Sequence, residues 1–312
     1  MIVLPPDQPW WLAVLHQRCS SLEAVWPRLL FAAFSATGFT VLWEFGYFQT
    51  TLTTTPFALI GLALSIFLGF RNNGSYDRFW EGRKLWGRMV NTSRSLTRQL
   101  LTIPRAEEGE AEALRSFQQE TVRTLAAYVH ALRLRLRDAT DYGELERLIP
   151  GEDLAALARS SNPPVTLVQR LGERVREAWQ RGWVDPYHLP LLDASLTQLV
   201  DIQGGCERIK ATPIPLSYSL LTHRIVAVYC LSLPFGLFDT VGTMTPLVVL
   251  LVGYAFYGLD AIGDAIEQPF GLEDHDLPLL QLSTMIEVNV RELLGDSDLP
   301  ELVTPDANHV LR

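Results

Sequence analysis

The chain has 312 residues, with 26 Lys and Arg against 35 Asp and Glu, a formal net charge of −9 and 48% hydrophobic residues. Its mean hydropathy of +0.12 is high for a water-soluble protein and low for a chain made only of spans, so an embedded part and a sizeable aqueous part are expected together. The negative balance argues against nucleic acid as a partner. Cys19, Cys206 and Cys230 form neither a zinc-ligand spacing nor a redox pair, and three buried thiols are expected.

Residues 1–24 read as an amphipathic cytosolic segment. They lack a basic stretch ahead of an apolar core, so insertion is expected to use internal spans. Four spans follow. The first covers 25–45, with Pro27 and Arg28 near its start and Glu44 near its end. The second, 52–70, carries no charge and ends abruptly at Arg71, which satisfies the requirement of roughly 18 or more apolar residues. The third, 218–238, is interrupted by His223 and Arg224; the fourth, 244–262, has Asp260 near its end. Charges inside spans are expensive and need a partner or a headgroup to reach. For His223, either a proton-sensitive pair with Arg224 or an interfacial anchor is open, and the anchor is preferred.

The loops between spans one and two and between spans three and four contain no Lys or Arg, whereas Arg71, Arg78, Arg83, Lys84 and Arg88 open the region between spans two and three. The positive-inside rule makes that region cytoplasmic, and with it both termini. Within it, Leu114, Phe117, Val122, Leu125, Val129 and Leu132 recur at helical spacings, and 174–179 and 192–209 also read as helices. Asn162, Pro163 and Pro164 mark one break, and Pro213, Ile214 and Pro215 another. The fold class is all-α, divided into 1–24, spans at 25–71, a helical cytosolic domain at 72–216, spans at 217–265 and a cytosolic segment at 266–312.

No phosphate-binding loop, metal-ligand pattern or nucleophile elbow occurs, and the six histidines are dispersed. No enzyme, metal or cofactor is expected. A secondary transporter is disfavoured because inverted repeats and broken mid-membrane helices are missing from the pattern. A non-conducting assembly protein stays open.

Ser75, Tyr76, Asp77, Arg78, Phe79, Trp80, Glu81, Gly82 and Arg83, with Trp86 and Gly87 after them, resemble the signature of the bestrophin family, its prokaryotic branch in particular. Pro213 to Tyr218 resembles the family's proline-bearing approach to the third span, and Glu267, Gln268, Pro269, Phe270 and Gly271 its motif after the fourth. The resemblance implies a homopentameric ion channel in the bacterial inner membrane, with four spans per subunit around a central five-fold pore, and membrane lipid and small monovalent ions as partners. It places Leu62, Ile66 and Phe70 at a hydrophobic neck. From spacing alone these three, at i, i+4 and i+8, read as a packing face on spans one and four. Stacked as apolar rings they can gate by dewetting. Gly61, Ala63, Ser65 and Gly69 between them permit close helix approach, and Thr53, Thr54, Thr55 and Pro56 suit a polar outer mouth. The resemblance also implies a cytosolic aperture, placed at Trp183 and Val184.

Eukaryotic relatives carry more phenylalanine in the neck and favour anions. Aromatic edges bear partial positive charge, and here two of the three rings are aliphatic, so cation selectivity is the preferred expectation and anion selectivity the alternative. Ser75, Tyr76, Arg78, Trp80, Glu81, Arg83 and Trp86 are expected to act as scaffold, through ion pairs and interfacial aromatics. Glu273, Asp274, His275 and Asp276 offer fewer carboxylates than a calcium clasp needs; capping of the next helix is expected instead.

Overall fold

A computed structural model describes residues 1–2, 21–47, 52–307 and 309–311. The expectations for Cys19, and most of those for 1–24 and for the loop before span two, lie outside the described residues. The helices are α1 (Ser21–Glu44), α2 (Thr54–Thr102), α3 (Ala111–Leu136), α4 (Gly151–Arg159), α5 (Pro163–Gln180), α6 (Leu189–Ala211), α7 (Leu216–Val241), α8 (Thr245–Glu267) and α9 (Leu279–Leu294). The described residues contain no strand beyond a single bridge between Ile2 and Val310, so the chain is all-α. Stretches Leu22–Glu44, Thr54–Thr102 and Leu216–Glu267, the last holding α7 and α8, are long and apolar enough to cross a membrane. The protein is a membrane protein.

The polarity change at Arg71 is not a break in the backbone: α2 runs through it for 49 residues. Charge does not end a helix, and the 71–86 block contains no proline to do so. The chain forms two compact units, and the division within α2 falls between Phe79 and Trp80.

The first unit comprises residues 4–79 and 213–268. Val25, Leu29, Ala32 and Ala36 make one face of α1, and they join Phe57, Leu64 and Leu68 of α2, Val226, Tyr229, Cys230 and Leu233 of α7, and Val249 and Tyr257 of α8 in a single core. Small residues set the closeness of the helices. A Cβ on Gly253 would meet Leu29 Cδ2 at 3.3 Å, and one on Gly236 would collide with the Phe57 ring. The Leu52 N–H donates to the Phe235 carbonyl at 3.0 Å, which ties the start of α2 to α7.

The second unit comprises 1–3, 80–212 and 269–312. Its central helix is α3, which is buried almost all round from Thr121 to Leu136, as expected of a helix enclosed by others. Asn162 precedes α5, whose first residues Pro163 and Pro164 lack only N–H groups that a helix start leaves unpaired anyway. α9 ends at Gly295 with φ +88°, where Gly295 N–H bonds the Glu292 carbonyl and Asp296 N–H that of Arg291, a left-handed C-terminal cap that suits glycine.

A buried ionic network joins α3 to α9. Glu287, fully buried, accepts from His130 Nε2 at 2.8 Å, from Arg291 Nη1 at 2.9 Å and from Arg147 Nη2 at 2.7 Å. Arg133 pairs with Glu144. Cys206 and Cys230 are free and buried, and burial pushes the Cys206 thiol up to about 12.

Candidate functional site

The membrane-spanning part of α2 has two faces. Phe57, Gly61, Leu64, Leu68, Arg71 and Ser75 are all buried, at spacings of three and four that keep them on one side of a 3.6-residue helix. This side packs on α7 and α8, where Gly61 lies against the Tyr229 hydroxyl and Phe67, beside the stripe, stacks on Tyr218 at 4.8 Å. Leu62, Ile66 and Phe70 point elsewhere and are 62%, 54% and 68% exposed. The spacing alone suggested a packing face against α1 and α8; within one chain the stripe has no such role. Gly69 beside it has open space, and Thr53, Thr54, Thr55 and Pro56 are exposed.

The buried stripe of α2 continues into a charged residue, and the surrounding helices supply its partners. Arg71 is 1% exposed. Its Nη1 bonds Asp260 Oδ1 at 2.6 Å, and its Nη2 pairs with Asp264 of the same helix, α8. Asp260 Oδ2 faces His223 Nδ1 of α7 at 2.6 Å and Arg28 Nη1 of α1 at 3.8 Å; His223 Nε2 lies 3.7 Å from Asp264 Oδ2. Asn72 Nδ2 donates to the Leu259 carbonyl at 3.0 Å. A guanidinium at this depth is tolerable only with such compensation. His223 is held between two carboxylates.

The three motifs met in the sequence come together in space. Arg78 Nε donates to the Glu267 carbonyl at 3.0 Å, and Glu267 Oε1 accepts from the Ile214 N–H at 3.0 Å, so the signature, the proline-bearing approach and the segment after α8 meet at Glu267. In the second unit a Cβ on Gly82 would meet the Phe270 ring at 3.1 Å, which makes glycine the residue that fits. Glu81 pairs with Arg208 at 2.6 Å, and Arg83 makes no ion pair among the described residues. Tyr76 and Trp80 are about half exposed, but Trp86 is fully buried and belongs to a core rather than to an interface. Ser75 is buried as well.

Two further expectations need correction. Trp183 and Val184 are 4% and 2% exposed: Trp183 Nε1 donates to Glu110 Oε2 at 2.8 Å and its ring meets Phe117 edge-on at 5.7 Å. Both side chains are consumed by their own chain and leave no surface for an aperture. The acidic residues do not cap α9 either, since Pro278 precedes it without a side-chain cap. Asp276 instead accepts from the Glu273 N–H at 2.8 Å, which closes the loop on itself, and burial pushes the Asp276 carboxyl up.

Comparison with known proteins gives concordant matches. Residues 1–292 match the family described as bacterial/fungal bestrophin protein. A voltage-dependent anion channel-forming protein of Ralstonia nicotianae is 42% identical, with 96% of each chain covered. One of the same name from Escherichia coli K12 is 33% identical, covering 99% of this chain and 100% of the relative. The crystal structure of a bacterial bestrophin homolog from Klebsiella pneumoniae is similar with a TM-score of 0.80 at 32% identity, covering 87% of this chain and 99% of that one.

Proposed function

The chain belongs to the bacterial/fungal bestrophin family, and on that premise we propose that it is an ion channel, a homopentamer in the bacterial inner membrane that passes small monovalent ions. Leu62, Ile66 and Phe70 of each copy form three apolar rings around the axis. The second unit and both termini are cytoplasmic, by the clustering of Lys and Arg between the second and third spans. What carries this reading is the exposed apolar stripe of α2: it faces away from the core of its own unit, in a helix whose opposite side is fully packed. A constriction of this kind controls ions by excluding water. No enzyme chemistry is proposed.

The neck favours cations, because two of its three rings are aliphatic and offer no aromatic edge to an anion, and because a net charge of −9 per chain draws cations toward the assembly. Anion selectivity is the second reading, favoured by the name that the Ralstonia and Escherichia relatives bear. Recording from purified protein in planar bilayers under a NaCl gradient separates them. A reversal potential near the sodium value supports the first reading and one near the chloride value the second, while silence at all voltages overturns the channel itself. In a conducting protein, Ile66→Phe moves the reversal potential toward chloride; no movement refutes the aromatic-edge argument.

A further inference from the structure

The charged cluster that follows the neck in sequence does more than hold helices together. It joins four helices among the described residues of the first unit: Arg28 from α1, Arg71 from α2, His223 from α7, and Asp260 and Asp264 from α8. With the imidazole counted as neutral, two guanidinium groups stand against two carboxylates, and the charges cancel. Arg71 comes directly after Phe70 in the chain, so the cluster begins within one helical turn of the last apolar ring, with its guanidinium on the packed face of α2. The members differ in access. The side chains of Arg71 and Asp260 are 0% and 1% exposed, while those of Asp264 and Arg28 are 42% and 50% exposed. The buried pair forms the fixed part of the balance, and the two outer members trim it from opposite sides.

We propose that Asp264 and Arg28 are specificity-determining residues that set the net charge beside the neck, and so the preference between anions and cations, without touching the permeating ion. The proposal rests on the pore reading above. Salt screens such exposed charges only beyond a Debye length of about 8 Å, so at the rim of the neck they act on the ion path, and their effect is multiplied by the number of copies around the axis. Removing the Asp264 charge leaves each subunit one positive charge in excess; removing that of Arg28 leaves one negative charge in excess. The two substitutions therefore act in opposite directions on the same quantity, which a merely structural role does not produce.

The test is the reversal potential in planar bilayers under a NaCl gradient for the wild type, Asp264→Asn, Asp264→Glu and Arg28→Gln. Asp264→Asn is expected to raise the anion-to-cation permeability ratio by about tenfold, the low end of the focusing that a cleft of one charge sign achieves. Arg28→Gln is expected to lower it, and Asp264→Glu to restore the wild-type value. Currents with an unmoved reversal potential in both charge-removing variants, or movement in the same direction, overturn the proposal and leave the pore intact. A silent wild type overturns the pore reading and this inference with it. If Asp264→Asn alone is silent, Arg28→Gln decides by the direction of its shift.

Discussion

Replacing Glu287 by Gln tests what the buried network in the second unit is worth. Burial by itself pushes the Glu287 carboxyl up; hydrogen bonds from His130 and Arg147 outweigh burial and bring it down to about 2 from the ordinary 4.5. That interval on the pH scale corresponds to about 3 kcal/mol of stability. Removing one partner of a buried ion pair costs about 3–5 kcal/mol by independent measure. The loss is concentrated in two side chains. Arg147 is 44% exposed and can turn to water, but His130 is 2% exposed and Arg291 10%. Arg291 retains Asp296 at 2.9 Å, whereas His130 keeps the more distant Glu144 at 3.6 Å, so His130 bears most of the change. Thermal unfolding in detergent micelles at pH 7, followed by circular dichroism, should show the Glu287→Gln midpoint lowered by about 6–12 °C, taking about 2–4 °C per kcal/mol for a unit of this size. The sign with pH follows from the lowered carboxyl. Its contribution is complete above about pH 4.5 and is lost as pH falls toward about 2, so the wild type loses this increment over that window and Glu287→Gln does not. A variant within about 2 °C of wild type at pH 7, or one with the same acid loss, refutes the reasoning.

Two smaller perturbations probe corrected or newly found contacts. Gly82→Ala places a methyl group 3.1 Å from the Phe270 ring and should destabilise by about 1–3 kcal/mol through overpacking, read as a lower unfolding midpoint. Trp183→Phe keeps the ring against Phe117 but removes the hydrogen bond to Glu110; a loss of about 1 kcal/mol with unchanged single-channel conductance is expected, and altered conductance would restore Trp183 to the ion path.

Most of the helical architecture is legible in the sequence, because hydropathy and spacing report what a helix must bury. The run at 52–70 and the positions of Pro163, Pro164, Pro213 and Pro215 each correspond to a helix or a helix boundary in the structure. The continuity of α2 past Arg71 is not legible, since a change of polarity looks the same whether or not the backbone changes with it. The identity of charge partners is hidden for a different reason. Asp260 lies 189 residues from Arg71 and 37 from His223, and nothing local in a sequence ties such positions together. The one available signal was the presence of Arg28, His223 and Asp260 in apolar stretches, which announced that partners must exist without naming them. Trp183 and Val184 failed as an aperture because two apolar side chains in a short connection fit a buried corner as well as an exposed rim.

The two faces of α2 also determine how this protein can change over evolutionary time. Leu62, Ile66 and Phe70 support nothing in the core of their own chain, so exchanging one apolar side chain for another there leaves the fold of a single copy untouched. Phe57, Leu64 and Leu68 have no such freedom, each being enclosed by α1, α7 or α8. An inserted or deleted residue between 57 and 70 is different in kind from a substitution, since it turns everything beyond it by about 100° and delivers core positions to the outside. Substitutions can therefore alter the exposed face in small steps without disturbing the core of a single copy, while the length of this segment is held fixed by packing.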